Sequence, residues 1–366
     1  MNKKRVLFFL WSFSLGGGAE KILSTIVNNL DPEKYQIDIL EIEHFDKGYE
    51  PINNSIRILK PWQDYRQSKL KRAILWRIRK FFPGLVRKLM VKDKYDIEIS
   101  FTIINPPFVY SKDDNVKKIA WIHGSIEDFI NDSKKRNSHR EHLKNVDKII
   151  SVSEKTRESI ISVYPEYKDK VITIYNGYDF ESIMDKSKED IDFKIENNSI
   201  CVIGRIEKLK GSLDVYETIK RLHIEKNKKY HLYFIGSGDL ESRLKELTAK
   251  DGLDKYIHFL GYQKNPYKYI KRMDLMLSMS KQEGFSGAIV EGLALGVPFI
   301  STDVGGIKEL SNNGKFGKII YSTDDACNHI IDFFENKKEI NYSEMSSYIS
   351  KFTIPEQIKN VDELLD

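Results

Sequence analysis

The chain has 366 residues, more than one ordinary hydrophobic core accommodates, so two domains are expected. It is 40% hydrophobic and 31% charged with a formal net charge of +5, small for this length, and no apolar run approaches the roughly 20 residues of a membrane span. Cys201 and Cys327 have neither metal-type nor redox-type spacing, which excludes a disulfide-built scaffold and favours a reducing compartment.

The first element is ambiguous. Residues 3–23, KKRVLFFLWSFSLGGGAEKIL, combine a basic start, an apolar run and small residues, the grammar of a secretory signal peptide. The same letters describe a strand (5–11) entering a glycine loop, Gly16 to Gly18, and a helix whose face is Ile22, Leu23, Ile26, Val27 and Leu30. The run continues into an amphipathic helix rather than a cleavage site, so a retained first strand is expected, with bare backbone that a phosphate can approach closely. This loop is not GxGxxG, so dinucleotide binding is not indicated.

Strands are predicted at 36–43 and 55–60, followed by a long basic helical stretch, then at 96–102, 117–123, 148–153 and 170–175. Residues 178–198 are polar and irregular and read as a linker. The rhythm restarts with strands at 199–206, 231–238, 256–262, 275–280 and 297–303, each followed by a helical pattern. Strands alternating with helices imply parallel sheets covered on both faces. The expected fold is therefore α/β: two Rossmann-like domains, 1–177 and 199–353, facing each other across a cleft, with the ligand at the carboxyl ends of the strands.

The densest chemistry lies in SKQEGFSGAIVEGLALGVPF, residues 280–299. Glu283 precedes a short predicted helix and Glu291 lies within it. Ser286, Gly287 and Ala288 keep the helix start small, leaving free backbone N–H groups suited to phosphate. A hydrolytic acid/base pair fits poorly, since eight residues at helical rise span about 12 Å, beyond the ~5–9.5 Å such carboxylates keep. The spacing suits two ends of one long ligand, with sugar hydroxyls at Glu283 and a ribose at Glu291. Read alone, the pair is equally compatible with a turn glutamate and a solvated helix glutamate. Arg205 and Lys210 follow the first strand of the second half, where fixed cations stabilise a departing diphosphate without a metal.

Together, Glu283-x7-Glu291, Arg205-x4-Lys210, the GGAEK loop, IHG at 122–124 and VITIYNGYD at 171–179 resemble the retaining glycosyltransferases of family 4, with the GT-B fold. That resemblance covers nearly the whole chain and is weakest over 44–116. It implies transfer of a sugar, with retention, from a nucleotide-sugar donor, expected to be UDP-linked, with no cofactor and no metal. It implies that Glu283 holds the donor sugar and Glu291 the ribose. Arg205, Lys210 and the backbone at Gly17, Gly18, Gly287 and Ala288 would bind the diphosphate. His123 would contact the sugar, and the stretch around Tyr262 would hold the base. The first-domain loop carries one extra glycine relative to the family pattern, and the helix at 354–366 would pack back on the first domain. Rival readings are another GT-B enzyme, such as a nucleotide-sugar epimerase, and a non-catalytic nucleotide-sugar-binding protein.

Three further signals remain. HREH at 139–142 is not a zinc-protease HExxH and reads as a solvated helix face. Asp190-Ile191-Asp192 falls in the polar linker and is discounted as a metal motif. Residues 66–94 carry eleven basic residues against one acid, interleaved with apolar residues at helical spacing. Such a stretch fits an anionic membrane surface or a helix packed on the domain with solvated Lys and Arg, while nucleic acid has no recognised binding module here. The resemblance, to a family many of whose members use lipid-linked acceptors, implies membrane contact. The expectation is a cytoplasmic enzyme, peripheral at the inner face of the cell membrane, building a surface polysaccharide such as a capsule on a glycan or polyprenol-linked acceptor.

Overall fold

Val6 to Leu10 are wholly buried, because the first strand lies inside a sheet rather than at its edge. The structure, a computed structural model, describes residues 3–45, 48–104, 107–130, 132–336 and 341–366. The chain forms two compact units, Met1–Gly177 with Ile354–Asp366, and Tyr178–Thr353.

The first unit contains β1 (Lys4–Leu10), β2 (Tyr35–Glu41), β3 (Glu43–His44), β4 (Arg57–Ile58), β5 (Gln63–Asp64), β6 (Ile97–Ser100), β7 (Lys117–Ile122), β8 (Lys148–Ser151) and β9 (Val171–Thr173). Seven of these form a parallel sheet in the order β4-β2-β1-β6-β7-β8-β9, while β3 pairs with β5. Phe9, Leu40, Ile122 and Ile149 from its strands join one apolar core. The helix Ile354–Leu365 belongs to this unit. Its Asp362 accepts from Tyr35 at 2.8 Å and Lys34 at 2.6 Å, and Val361 and Leu365 are buried.

The second unit contains β10 (Ser199–Ile203), β11 (His231–Ile235), β12 (Ile257–Phe259), β13 (Leu275–Ser278), β14 (Phe299–Thr302) and β15 (Gly317–Ile320), all parallel, in the order β12-β11-β10-β13-β14-β15. Its core is built on Ile200, Leu232, Leu277 and Ile300. No helix of the described residues is long and apolar enough to cross a membrane.

Several expectations need correction. Residues 178–198 are not simply a linker, since Phe180–Ser187 is a helix, capped by Asp179 accepting from Ser182 N–H at 2.9 Å, with Ile183 buried in the second unit. The chain instead crosses between units at Gly177–Tyr178 and returns at Thr353–Ile354. The predicted strand at 55–60 shrinks to Arg57–Ile58, and the edge strand β15 was not anticipated. The HREH face is not solvated. His139 is buried in the helix Ser133–Lys144, and the His142 ring stacks on Tyr110 with centroids 4.8 Å apart. Two histidines spaced by three turn inward together because neutral imidazoles pack as apolar rings. The stretch 66–94 is two helices, Lys69–Phe81 and Pro83–Met90, because Pro83 starts a new first turn.

Candidate active site

The order β11-β10-β13-β14 reverses chain direction of growth between β10 and β13, and a crevice at such a switch point is where open α/β sheets bind ligands. Both strands lead directly into the candidate residues. After β10 the chain passes Gly204 and Arg205 into a single 3-10 turn, Lys208–Lys210, closed by Gly211 in the left-handed conformation (φ +68°). A Cβ at Gly211 would lie 1.9 Å from the Met279 carbonyl oxygen, so only glycine lets this turn press against the end of β13. That contact brings Lys210 to the loop after β13. Its Nζ lies 2.6 Å from Glu283 Oε1, which also accepts from the Ser280 hydroxyl at 2.9 Å.

After Glu283 the helix Gly287–Ala294 begins at Ser286 with no side chain capping its N–H groups. Its first turn is small for a reason: a Cβ at Gly287 would approach the Tyr178 hydroxyl to 3.1 Å. A cavity of about 160 Å³ opens here, lined by Arg205, Lys210, Glu283, Ser286, Gly287 and Ala288 among others. Six of the residues expected from sequence are thus gathered in one concavity at the switch point. An uncapped helix start, two cations and a carboxylate can hold a phosphate group with a hydroxyl-bearing neighbour. Arg205 is mostly exposed and, among the described residues, pairs locally with Glu207 at 3.0 Å.

Glu291 and Tyr262 do not line that cavity. Glu291 sits further along the same helix and accepts from the Tyr267 hydroxyl at 3.1 Å. Burial and the nearby Glu291 charge raise the Tyr267 pKa, which keeps its hydroxyl a donor. Tyr262 follows β12 and is 79% exposed.

In the first unit the switch point falls between β1 and β6; Gly17 ends the loop after β1 and Gly18 is the first residue of the helix that follows. Gly17 precedes the helix Gly18–Asn29, which also lacks a side-chain cap. The approach to this loop is fixed by Glu41, fully buried at the end of β2, which accepts from the N–H groups of Phe13 at 2.9 Å and Ser14 at 3.0 Å and from the Ser14 hydroxyl at 2.8 Å. The other Glu41 oxygen meets His44 Nδ1 at 2.7 Å and the Tyr49 hydroxyl at 2.9 Å. His123 follows β7, its ring 4.6 Å from that of Phe101. Desolvation lowers its pKa to about 4, so the ring is neutral near pH 7, and its shielded Nε2 has no hydrogen-bond partner among the described residues.

Ser280, Tyr267, Tyr178 and Glu41 were not foreseen. Ser280 carried a local signal, standing three residues before Glu283 at a strand end, whereas the other three act across the fold and leave no mark on sequence spacing. Asp190 and Asp192 are both exposed, and no cluster of three or more His, Cys, Asp or Glu among the described residues is arranged to hold a metal.

Comparison with known proteins bears on the family and the fold. Residues 184–352 match the model of glycosyl transferases group 1, and residues 16–182 that of glycosyltransferase family 4. An uncharacterized glycosyltransferase of Methanocaldococcus jannaschii is 27% identical over 294 residues, 72% of this chain and 71% of that protein. The N-acetylgalactosamine-N,N'-diacetylbacillosaminyl-diphospho-undecaprenol 4-alpha-N-acetylgalactosaminyltransferase of Campylobacter jejuni is 31% identical over 146 residues, 40% of this chain and 38% of that protein. Among solved structures, the HepE protein of Anabaena in complex with UDP superposes with a TM-score of 0.72 at 16% identity, covering 99% of each chain. The lipopolysaccharide outer core galactosyltransferase WaaB superposes with a TM-score of 0.73 at 17% identity, covering 98% of each.

Proposed function

The chain belongs to the family-4 glycosyltransferases with the GT-B fold, and from that premise we propose that it transfers a sugar, with retention and without a metal, from a UDP-linked donor to a glycan or polyprenol-linked acceptor in surface-polysaccharide synthesis. The observation that carries this reading is the cavity at the β10/β13 switch point, where Arg205, Lys210 and Glu283 meet the uncapped helix start at Gly287 and Ala288.

The diphosphate lies against the N–H groups of Gly287 and Ala288, with Arg205 and Lys210 meeting the charge that grows as the leaving group departs. Lys210 is already held by Glu283, so it is positioned before donor arrives, and the same carboxylate is placed to accept from the donor sugar's hydroxyls. Glu291, oriented by Tyr267, accepts from the ribose, and Tyr262 lies against the base. Gly17 and Gly18 offer backbone to the diphosphate. The neutral His123, whose Nε2 has no hydrogen-bond partner among the described residues, offers a hydrogen-bonding atom to the transferred sugar. The lipid-linked acceptor named for the Campylobacter relative, and the basic stretch at 66–94, support work at the inner face of the cell membrane.

A thermal-shift panel of UDP, GDP, TDP and CMP sugars tests the donor assignment, since a ligand bound only by the folded state raises the melting temperature by mass action. UDP sugars are expected to give the largest shift. An equal or larger shift with another base refutes the UDP assignment, and no shift with any nucleotide refutes the enzyme reading. Full loss of transfer on chelation refutes metal independence.

A further inference from the structure

A glutamate that reads a ligand needs a fixed main chain and one oxygen left free. Its terminal torsion is broad, so the side chain alone guarantees neither. Around Glu283 the main chain is held by neighbouring loops. After β10, Gly211 presses against the Met279 carbonyl, and the Leu209 carbonyl accepts from Lys281 N–H at 2.8 Å. After β14, Gly305 is left-handed (φ +52°) and lies so close that a Cβ there would fall 2.9 Å from the Glu283 carbonyl oxygen. What remains to be fixed is the rotation of the carboxylate itself.

Two donors fix it, and both sit on the same oxygen. Oε1 accepts from Lys210 Nζ at 2.6 Å and from the Ser280 hydroxyl at 2.9 Å. Oε2 has no hydrogen-bond partner among the described residues, although the side chain lines the cavity beside Arg205 and Gly287. Ser280 is buried, and its carbonyl accepts from the Thr302 hydroxyl at 2.6 Å, which ties it to the end of β14. An ionised carboxylate only accepts, so the serine donates its hydrogen to Glu283. Lys210 by itself does not define the rotation. An ammonium is a compact point charge with rotatable donors, and without the serine it is free to settle between the two oxygens and mask both. With the serine in place Lys210 stays on Oε1, and its other N–H groups are left for phosphate.

We propose that Ser280 is a positioning residue, which turns the Glu283 carboxylate so that Oε2 alone is offered to the hydroxyls of the donor sugar. Ser280 touches no substrate, and its whole effect passes through Glu283. The inference rests on the glycosyltransferase reading of this cavity and sharpens it. Oε1 is an internal acceptor that holds Lys210, and Oε2 is the oxygen that reads the sugar.

The test is a double-mutant cycle, read by calorimetric titration with UDP and with the UDP sugar that gives the largest thermal shift. Ser280→Ala is expected to weaken the UDP sugar about threefold to tenfold, the size of one hydrogen bond, while UDP itself binds within about twofold of wild type. Ser280→Cys, close to serine in shape but a weak donor, is expected to behave like the alanine variant. In a Glu283→Ala background the same serine substitutions are expected to change neither affinity, because a residue acting through Glu283 has nothing left to act on. A UDP-induced thermal shift in each variant verifies its folding. Three outcomes overturn the proposal: wild-type affinity for the UDP sugar in both serine variants, equal loss of UDP and UDP sugar, or a serine effect that persists without Glu283. The last two would mark a serine that merely supports the fold. Any of these in a protein that still shifts with nucleotide sinks this inference alone. Wild-type protein that shifts with no nucleotide sinks the enzyme reading, and this inference with it.

Discussion

The loops after β10 and β13 and the helix pair at 69–90 both hold basic residues against carboxylates, yet the outcome differs. In the second unit Lys210 and Glu283 meet at the mouth of a cavity at strand ends, where both remain reachable by a ligand. In the first unit Arg72 and Arg87 meet Glu43 and Glu98, carboxylates that project from strands into the interior, and the arginines are drawn in with them. The role of a cation is set by where the opposing carboxylate stands in the sheet. That placement is readable at a strand's carboxyl end, but not along a helix face whose partner lies many residues away.

The sharpest way to break the comparison is at the Arg87–Glu98 pair. Glu98→Ala leaves Arg87 without its charge partner and also removes the acceptor of the Ser111 N–H, 2.7 Å away. Removing one member of a buried ion pair costs about 3–5 kcal/mol. Denaturant melts are expected to show a loss of that size. An unchanged midpoint would mean that the inward arginines are incidental, and that they are available to lipid after all.

A slightly smaller effect is expected at the cavity. Lys210→Ala should lower the transfer rate a hundredfold or more, about 3 kcal/mol, with Arg205→Ala costing less because Arg205 is far more exposed and its ion pair is with the nearby Glu207. Steady-state rates of both variants decide it. Near wild-type turnover in Lys210→Ala would show that the lysine merely neutralises Glu283.

The two glutamates come next. Glu291→Ala should weaken both the nucleotide sugar and free nucleoside diphosphate by a similar factor, roughly 1.5–3 kcal/mol, and Tyr267→Phe should do the same more mildly. Glu283→Ala should spare nucleoside diphosphate affinity and damage turnover. Calorimetric titration with nucleoside diphosphate separates these outcomes. The reverse pattern would exchange the two assignments.

The sequence made the alternating α/β architecture visible because buried parallel strands are continuous apolar runs, as in VLFFL at 6–10 and YFI at 233–235. It also placed Arg205, Lys210, Glu283 and the helix start at Gly287, since strand–loop–helix grammar is local. What escaped was non-local. Phe180–Ser187 looked like a linker because its residues are polar, and only packing makes it a helix of the second unit. Tyr267 reaches Glu291 across 24 residues, and Glu41 reaches the Ser14 N–H across 27. The HREH helix was misread because histidine counts as polar in a pattern, although a neutral ring packs as an apolar one.

That misreading supplies the smallest predicted effect, and one that again separates the two regions. His139 and His142 are pushed down to about 4 and about 3, both chiefly by burial, with His139 a second cause for His142. A histidine lowered below its unfolded value near 6.5 binds fewer protons folded than unfolded in the interval between. Its contribution is therefore intact above about pH 6.5 and is lost as pH falls toward the folded value. Each buried ring should remove up to about 1.4 kcal/mol per pH unit across that window. Thermal melts between neutral pH and pH 5 should show first-unit stability falling on acidification, and His139→Gln/His142→Gln should flatten the slope while lowering stability at neutral pH through lost packing. His123 in the first unit and His223, His231 and His258 in the second are also lowered by desolvation, so the slope that survives this double substitution belongs to them. A variant with the wild-type slope would place the acid sensitivity wholly outside the HREH helix, and would return those two histidines to solvent.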